Sequence, residues 1–284
     1  MMKLRRFYVS LIFLGCFWLL FVAEHWSPDP ILYSRPYALA SYLSLTGAEG
    51  VVSSGLYVMC AQRLALSWAR HVPVESRMQY DMILIITDPY KLLTASAART
   101  LREVGWNLVK MEPLYGKPDQ PSYLAQNRYT HTAQFTKLRL WTLEGYNHIV
   151  YLDADMLITK DLVYEMRGYN ANINALGVAR SRDGPMINGG MLLIKPSKRV
   201  FGSMVDSIMS SEYNVFFQEQ GFLDVFWRSE PYSVMWMPSE LNEFVNNLTD
   251  ATVVIHFLSS WKPWAICPDP VVYTWPCDEW HSYD

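Results

Sequence analysis

The strongest constraint on the fold is an alternation between two kinds of apolar run. Met82-Ile83-Leu84-Ile85-Ile86-Thr87 is continuously apolar and stops at Asp88-Pro89. A run that short predicts a strand buried on both faces. Residues 38–45, 107–111, 148–152 and 191–194 read as strands on the same grounds, and 251–255 is strand-like. Between them, 55–70, 93–105 and 134–145 read as helices, with Gly105 as a stop signal. Strands alternating with helices predict an α/β fold, with a mostly parallel central sheet flanked by helices. In such a sheet, ligands bind beyond the carboxyl ends of the strands. Asp153-Ala154-Asp155 falls at one of those ends.

The amino terminus suggests a compartment. Lys3, Arg5 and Arg6 precede an uncharged run over 7–23 that ends at Glu24 and His25. As a helix those residues rise roughly 26 Å, short for a ~30 Å hydrocarbon core and long for the apolar part of a signal peptide. Bulky Phe and Trp side chains, with no clean small-x-small cleavage site, favour an uncleaved signal-anchor. The basic residues at the short end predict a single-pass type II orientation, with the rest of the chain in the lumen of the Golgi or ER. Residues 1–26 are therefore expected to be cytosolic tip and transmembrane anchor, 27–36 a short stem with three prolines, and 37–284 a single folded domain. The sequon Asn247-Leu248-Thr249 agrees with a lumenal body, as does a small disulfide loop between Cys267 and Cys277. Cys16 and Cys60 lie in apolar helical stretches and read as small apolar residues.

The chain has a formal charge of −3 and no basic runs, so it lacks the electrostatic footprint of a nucleic-acid-binding protein. Eleven Trp and 18 Tyr side chains are able to stack on sugar rings, but they also build cores and membrane-interface belts, so the count does not discriminate.

Two carboxylates separated by one small residue, just after Ile149-Val150-Tyr151-Leu152, can both face a hard divalent cation such as Mn²⁺ or Mg²⁺. A cation that retains open positions holds a diphosphate. Alone, Asp-x-Asp is more often a turn with solvated acids. A second element follows the strand-like 251–255: His256-Phe257-Leu258-Ser259-Ser260-Trp261-Lys262-Pro263-Trp264. His256 offers an imidazole to a metal and Lys262 a cation to a phosphate. A single His is ordinarily a hydrogen-bonded core residue and a single Lys a solvated one. Their spacing after a strand, with an Asp-x-Asp elsewhere, weighs against both.

In these two motifs, and in their order, the chain resembles the family 8 retaining glycosyltransferases, which include glycogenin, galactinol synthases and plant glucuronosyltransferases. The resemblance runs over about 38–264. Tyr151-Leu152-Asp153-Ala154-Asp155 is similar to the family's aspartate motif. The stretch from His256 to Trp264 is similar to His-x-x-Gly-x-x-Lys-Pro-Trp, with Ser259 in place of the glycine. The resemblance implies a GT-A-type nucleotide-diphospho-sugar transferase fold, with Asp153, Asp155 and His256 coordinating Mn²⁺ and Lys262 contacting the donor diphosphate. It further implies donor contacts from Arg128, from Lys137 in Thr136-Lys137-Leu138, from Ala154, and from Asn188 and Gly189 in a segment that resembles Asn-Ser-Gly. Glu219-Gln220-Gly221 resembles Asp-Gln-Gly, whose acid and amide face the transferred sugar; here Glu219 replaces the aspartate, and Phe216 stands where an acid is expected.

The expected activity is a retaining, metal-dependent transfer of a hexose or hexuronic acid from a UDP-sugar to a lipid, glycan or protein acceptor. Asp153, Asp155, Glu219 and Lys262 would carry it. Mn²⁺ and Lys262 would stabilise the leaving diphosphate, and Glu219 would act electrostatically or as a transient nucleophile. The tail tryptophans Trp264, Trp275 and Trp280 suit a membrane-near acceptor or simply close the domain. Two other readings stand beside this one. Phe216 and Ser259 motivate a non-catalytic sugar-nucleotide-binding or scaffold partner of an active transferase. The carboxylate pair alone motivates a metal-dependent phosphohydrolase, which Lys262-Pro263-Trp264 disfavours.

Overall fold

The computed structural model describes residues 27–31, 33–45, 50–88, 92–117, 132–179, 186–257, 262–267 and 275–283. The expected span at 7–23, Arg128 and Ser259 lie outside them. No helix among the described residues is long and apolar enough to cross a membrane.

Seven strands form the main sheet: β1 (Tyr37–Ser44), β2 (Tyr80–Thr87), β3 (Asn107–Lys110), β4 (His148–Leu152), β6 (Ala175–Ala179), β7 (Met191–Ile194) and β8 (Ser233–Met237). Their order is β3-β2-β1-β4-β7-β6-β8, and β7 alone runs against the others. β5 (Met156–Ile158), β9 (Glu243–Phe244) and β10 (Val254–His256) form a second, small sheet in the order β5-β10-β9.

Alternate side chains of the parallel strands go to opposite faces, as a period of two requires. Leu39, Leu43, Leu84, Ile86, Val150 and Leu152 join a core under α1 (Gly50–His71), which contributes Leu64 and Trp68. Ala38, Ala40, Ile83, Ile85, Ile149 and Tyr151 join the opposite core, with Phe222 and Trp227 of α4 (Gln218–Trp227). Each fully buried Leu or Ile contributes roughly 1.5–3 kcal/mol. This two-sided burial explains why the strands read as continuous apolar runs rather than as alternation.

Between these cores and the surface lie α2 (Ala95–Glu103) and α3 (Lys198–Ile208), each opened by a side-chain cap. Thr94 accepts from the Ala97 amide and Ser197 from the Val200 amide. Gly105, with φ of 103°, ends α2: its amide bonds to the Arg102 carbonyl while that of Trp106 reaches Leu101.

One segment differs from the sequence expectation. The helix read at 134–145 is a 3-10 helix over Thr132–Thr142. Its residues Phe135, Leu138 and Trp141, three apart, all enter one core. A helix of three residues per turn brings those positions into one row, while Lys137 points to the carboxylates of Asp153 and Glu219. The proline-rich stretch 27–36, where described, is largely exposed but tied to the rest of the fold by hydrogen bonds. Asp29 is held by Arg102 at 2.9 Å and accepts from the Leu108 amide, and the Asn147 amide donates to the Pro36 carbonyl at 2.7 Å.

Candidate metal and nucleotide-sugar site

Register builds the site. Tyr151 of β4 is level with Ala40, so Leu152 lies beside Ser41 while β1 runs on to Ser44. β4 stops short and leaves a notch that the turn at residues 153–155 occupies. Because β7 is antiparallel to β4, with Met191 opposite Leu152, the chain enters β7 at the same notch. The Asp153 amide donates to the Gly190 carbonyl at 2.8 Å. In the small sheet, antiparallel pairing sets His256 opposite Met156, and the Phe257 amide donates to the Asp155 carbonyl. Two sheets thus deliver Asp153, Asp155 and His256 to one point, with ligand atoms within 4.8 Å of one another.

His256 is buried, with Nε2 3.6 Å from Asp155 Oδ1 and 4.0 Å from Asp153 Oδ2. Its Nδ1 lies 2.9 Å from the side-chain oxygen of Asn242. An amide oxygen only accepts, so Nδ1 carries the proton and the Nε2 lone pair faces the carboxylates. Burial lowers the imidazole pKa despite the raising effect of Asp155 and Asp153, which keeps the ring in the neutral, ligating form. Two carboxylates and one imidazole lone pair suit a hard or borderline divalent cation.

Two lysines flank this triangle. Lys137, only 2% exposed at its side chain, extends from the 3-10 helix to lie 3.2 Å from Asp153 Oδ1 and 2.8 Å from Glu219 Oε1. Burial opposes its charge, but Asp153 and Glu219 more than offset this and raise its pKa above the usual lysine value. Asp153 responds in the opposite sense: burial would raise its pKa, yet Lys137, His256 and a hydrogen bond from the Tyr151 hydroxyl hold it below the usual carboxylate value. Lys262 pairs with Asp155 Oδ2 from the residue that precedes the single-turn helix Pro263–Ile266. Its pKa is raised by Asp155 against the cost of burial.

The floor is backbone. The Gly189 amide donates to Gln220 Oε1 at 2.9 Å, and that of Gly190 to Asn188 Oδ1 at 2.9 Å. A Cβ on Gly190 would lie 2.4 Å from His256 Cε1, so the ring rests directly on the glycine. Glu219 and Gln220 follow Gln218, a non-glycine residue at φ of 52°, an uncommon conformation of the kind that clusters at functional sites.

Of the residues singled out from sequence, Asp153, Asp155, His256, Lys262, Lys137, Glu219, Gln220, Asn188 and Gly189 converge here. The Ala154 side chain instead packs into the core beneath α1. Tyr151 and Asn242 escaped sequence reasoning. Tyr151 sits within the aspartate motif but reads as one more buried strand residue, and nothing in Glu240-Leu241-Asn242 signals a site.

No protein-family model matches the chain. Inositol phosphorylceramide glucuronosyltransferase 1 of Arabidopsis thaliana is 24% identical over 238 residues, 71% of this chain and 40% of that protein. UDP-glucuronate:xylan alpha-glucuronosyltransferase 2 of the same plant is 26% identical over 234 residues, 75% of this chain and 34% of that protein. The chain is a homologue of family 8 glycosyltransferases. It spans less than half the length of these curated relatives. Among solved structures, the apo-form glycosyltransferase GlyE of Streptococcus pneumoniae superposes with a TM-score of 0.58 at 19% identity, over 88% of this chain and 60% of that one. The likeness supports a GT-A-like fold.

Proposed function

We propose that this family 8 homologue is a retaining glycosyltransferase that moves a hexose or hexuronic acid from a UDP-sugar, with Mn²⁺ held by Asp153, Asp155 and His256. The observation that carries this reading is the convergence of those three ligands with the Nε2 lone pair already turned towards the carboxylates. A divalent cation bound there would stabilise the negative charge gathering on the departing diphosphate.

The chain's own residues do the rest. Lys262 releases Asp155 and takes a diphosphate oxygen, exchanging one anionic partner for another at no loss of charge pairing. Lys137, a buried cation between two anions, bridges Glu219 and Asp153 and fixes the Glu219 carboxylate beside the Gly189–Gly190 floor, where the sugar ring would lie. Glu219 then faces the anomeric region as a fixed negative charge that favours positive character at the sugar carbon. The acceptor is a lipid, glycan or protein hydroxyl. One relative's name specifies a phosphorylceramide and another's a xylan, so either a membrane or a polysaccharide acceptor fits this ancestry.

A Golgi or ER site, with an anchor at 7–23, accords with the disulfide between Cys267 and Cys277, since such bonds persist in oxidising compartments.

The test is metal-dependent binding of a panel of nucleotide sugars to the full chain, with wild type compared against Asp155→Ala and UDP release followed in the same samples. Manganese-dependent binding of one UDP-sugar, lost in the variant and accompanied by slow UDP release, is expected. Absence of binding to any donor, with or without metal, would leave a scaffold role as the better account.

A further inference from the structure

Asn242 lies in the single-turn 3-10 helix Ser239–Asn242, just before β9, and is 3% exposed. It belongs to neither motif, yet its side chain touches one residue from each half of the site. Its oxygen lies 2.9 Å from His256 Nδ1, and its nitrogen donates to Asn188 Oδ1 at 2.9 Å. Asn188 Oδ1 also accepts from the Gly190 amide at 2.9 Å. The relay therefore has one consistent set of proton positions. The Gly190 amide and the Asn242 amide group both point at Asn188 Oδ1. That leaves the Asn242 oxygen facing His256, where it is able to accept only from Nδ1–H.

We propose that Asn242 is a positioning residue that fixes the tautomer and the plane of His256, with Asn188 anchoring it from the sugar-side loop, so that the imidazole presents a bare Nε2 to the cation. The proposal rests on the metal-site reading above and deepens it. Gly190 completes the device. The ring packs against the bare glycine, and Asn242 supplies the only direction along which Nδ1–H points, so both the rotation and the proton of the ring are set before any cation arrives. Asn188 accordingly serves the metal side of the site through its oxygen, although its loop borders the sugar side. Hydrogen-bond partners one shell beyond a ligating histidine commonly change metal affinity by about ten- to a hundredfold when removed.

Two readouts on the full chain test this. In metal-free protein labelled with ¹⁵N-histidine, the His256 resonances are expected to show Nδ1 protonated and Nε2 bare, and Asn242→Ala is expected to yield a mixture of both tautomers. Titration with Mn²⁺ alone, followed by the paramagnetic signal of the free ion, is expected to give roughly ten- to a hundredfold weaker binding in Asn242→Ala. Asn242→Asp keeps an acceptor for Nδ1–H, though not the donor to Asn188 Oδ1, and is expected to hold His256 in the Nδ1–H tautomer. If wild-type His256 carries its proton on Nε2, or if folded Asn242→Ala keeps both tautomer and affinity, the proposal is overturned. Should Asn242→Ala fail to fold, a His256 that carries its proton on Nε2 in Asn242→Asp overturns it instead. Asp155→Ala serves as the control: Mn²⁺ binding that survives it refutes the metal site itself, whereas the tautomer readout still judges Asn242.

Discussion

Gly189 and Glu219 are each a departure from the sequence pattern that the chain resembles, and in space they are one feature. A Cβ at Gly189 would come 3.0 Å from Gln220 Cγ, 3.3 Å from Glu219 Oε1 and 3.7 Å from Lys137 Nζ. The carboxylate of Glu219, one methylene longer than an aspartate, therefore lies tightly against position 189, where any side chain would crowd it. Gly189→Ser alone would push Glu219 off Lys137, and Glu219→Asp alone would fall short of it. Each single change is expected to lower kcat/KM by at least tenfold. The double variant Gly189→Ser/Glu219→Asp is expected to recover activity beyond the product of the two losses, with a coupling of about 0.5–3 kcal/mol as for residues in contact. Losses that simply multiply in steady-state kinetics would mean that the two departures arose independently.

Among elements, the 3-10 helix Thr132–Thr142 does the most to connect core and site. Phe135, Leu138 and Trp141 enter the core while Lys137 reaches the carboxylates. Lys137→Met keeps the length of the side chain but strips the cation from Glu219, itself 4% exposed. Removing one partner of a buried ion pair typically costs about 3–5 kcal/mol. Thermal denaturation of the variant is expected to fall accordingly, and Lys137→Met/Glu219→Gln, which neutralises the stranded acid, to regain a substantial part. No recovery would show that Lys137 is held by packing and not by charge. This element also marks where sequence reading reached its limit. β1, β2 and β4 were legible because two-sided burial writes long apolar runs, and Gly105 because only a left-handed residue closes α2 in this way. The 3-10 helix was read as an ordinary helix because spacings of three and of 3.6 differ little over eleven residues. The small sheet gave weaker signals: β5 and β10 have three residues each and β9 two, too few for periodicity, and only β10 lay near a run already read as a strand. Asp153, Asp155, His256 and Lys262 stood out through motif spacing. Asn242 and the Lys137–Glu219 pair depend on contacts between distant segments, which spacing along the chain does not encode.

Across the whole molecule, the chemistry gathers at the carboxyl ends of the strands, and a separate titrating group sits at their amino ends. The first residues of β1, β2 and β4 lie level in the sheet, so Tyr37, Tyr80 and His148 meet there. The His148 ring stacks on Tyr37 with centroids 4.1 Å apart, and its Nε2 is 3.1 Å from the Tyr80 hydroxyl. Burial, helped by the charge of Lys195, brings its pKa down from 6.5 to about 4. The folded protein thus keeps this imidazole neutral where the unfolded chain protonates it. Between those two values the unfolded state binds more protons, so stability must rise with pH through the window and fall as pH drops from 6.5 towards 4. His256, also held below its usual value, contributes a slope of the same sign. Asp29 and Glu279 have depressed pKa values, so their contributions persist above the usual carboxylate range and are lost only as pH falls through it and below. His148→Gln, which retains a polar partner for Tyr80 but never ionises, is expected to flatten the dependence of melting temperature on pH between about 4.5 and 6.5 without abolishing it. Adding Mn²⁺ to that variant should steepen what remains, because a cation that competes with the proton for His256 lowers proton binding in the folded state further and leaves the unfolded chain unchanged. An unchanged slope in His148→Gln would mean that the ring reaches water at the amino ends of the strands and titrates normally in the folded protein.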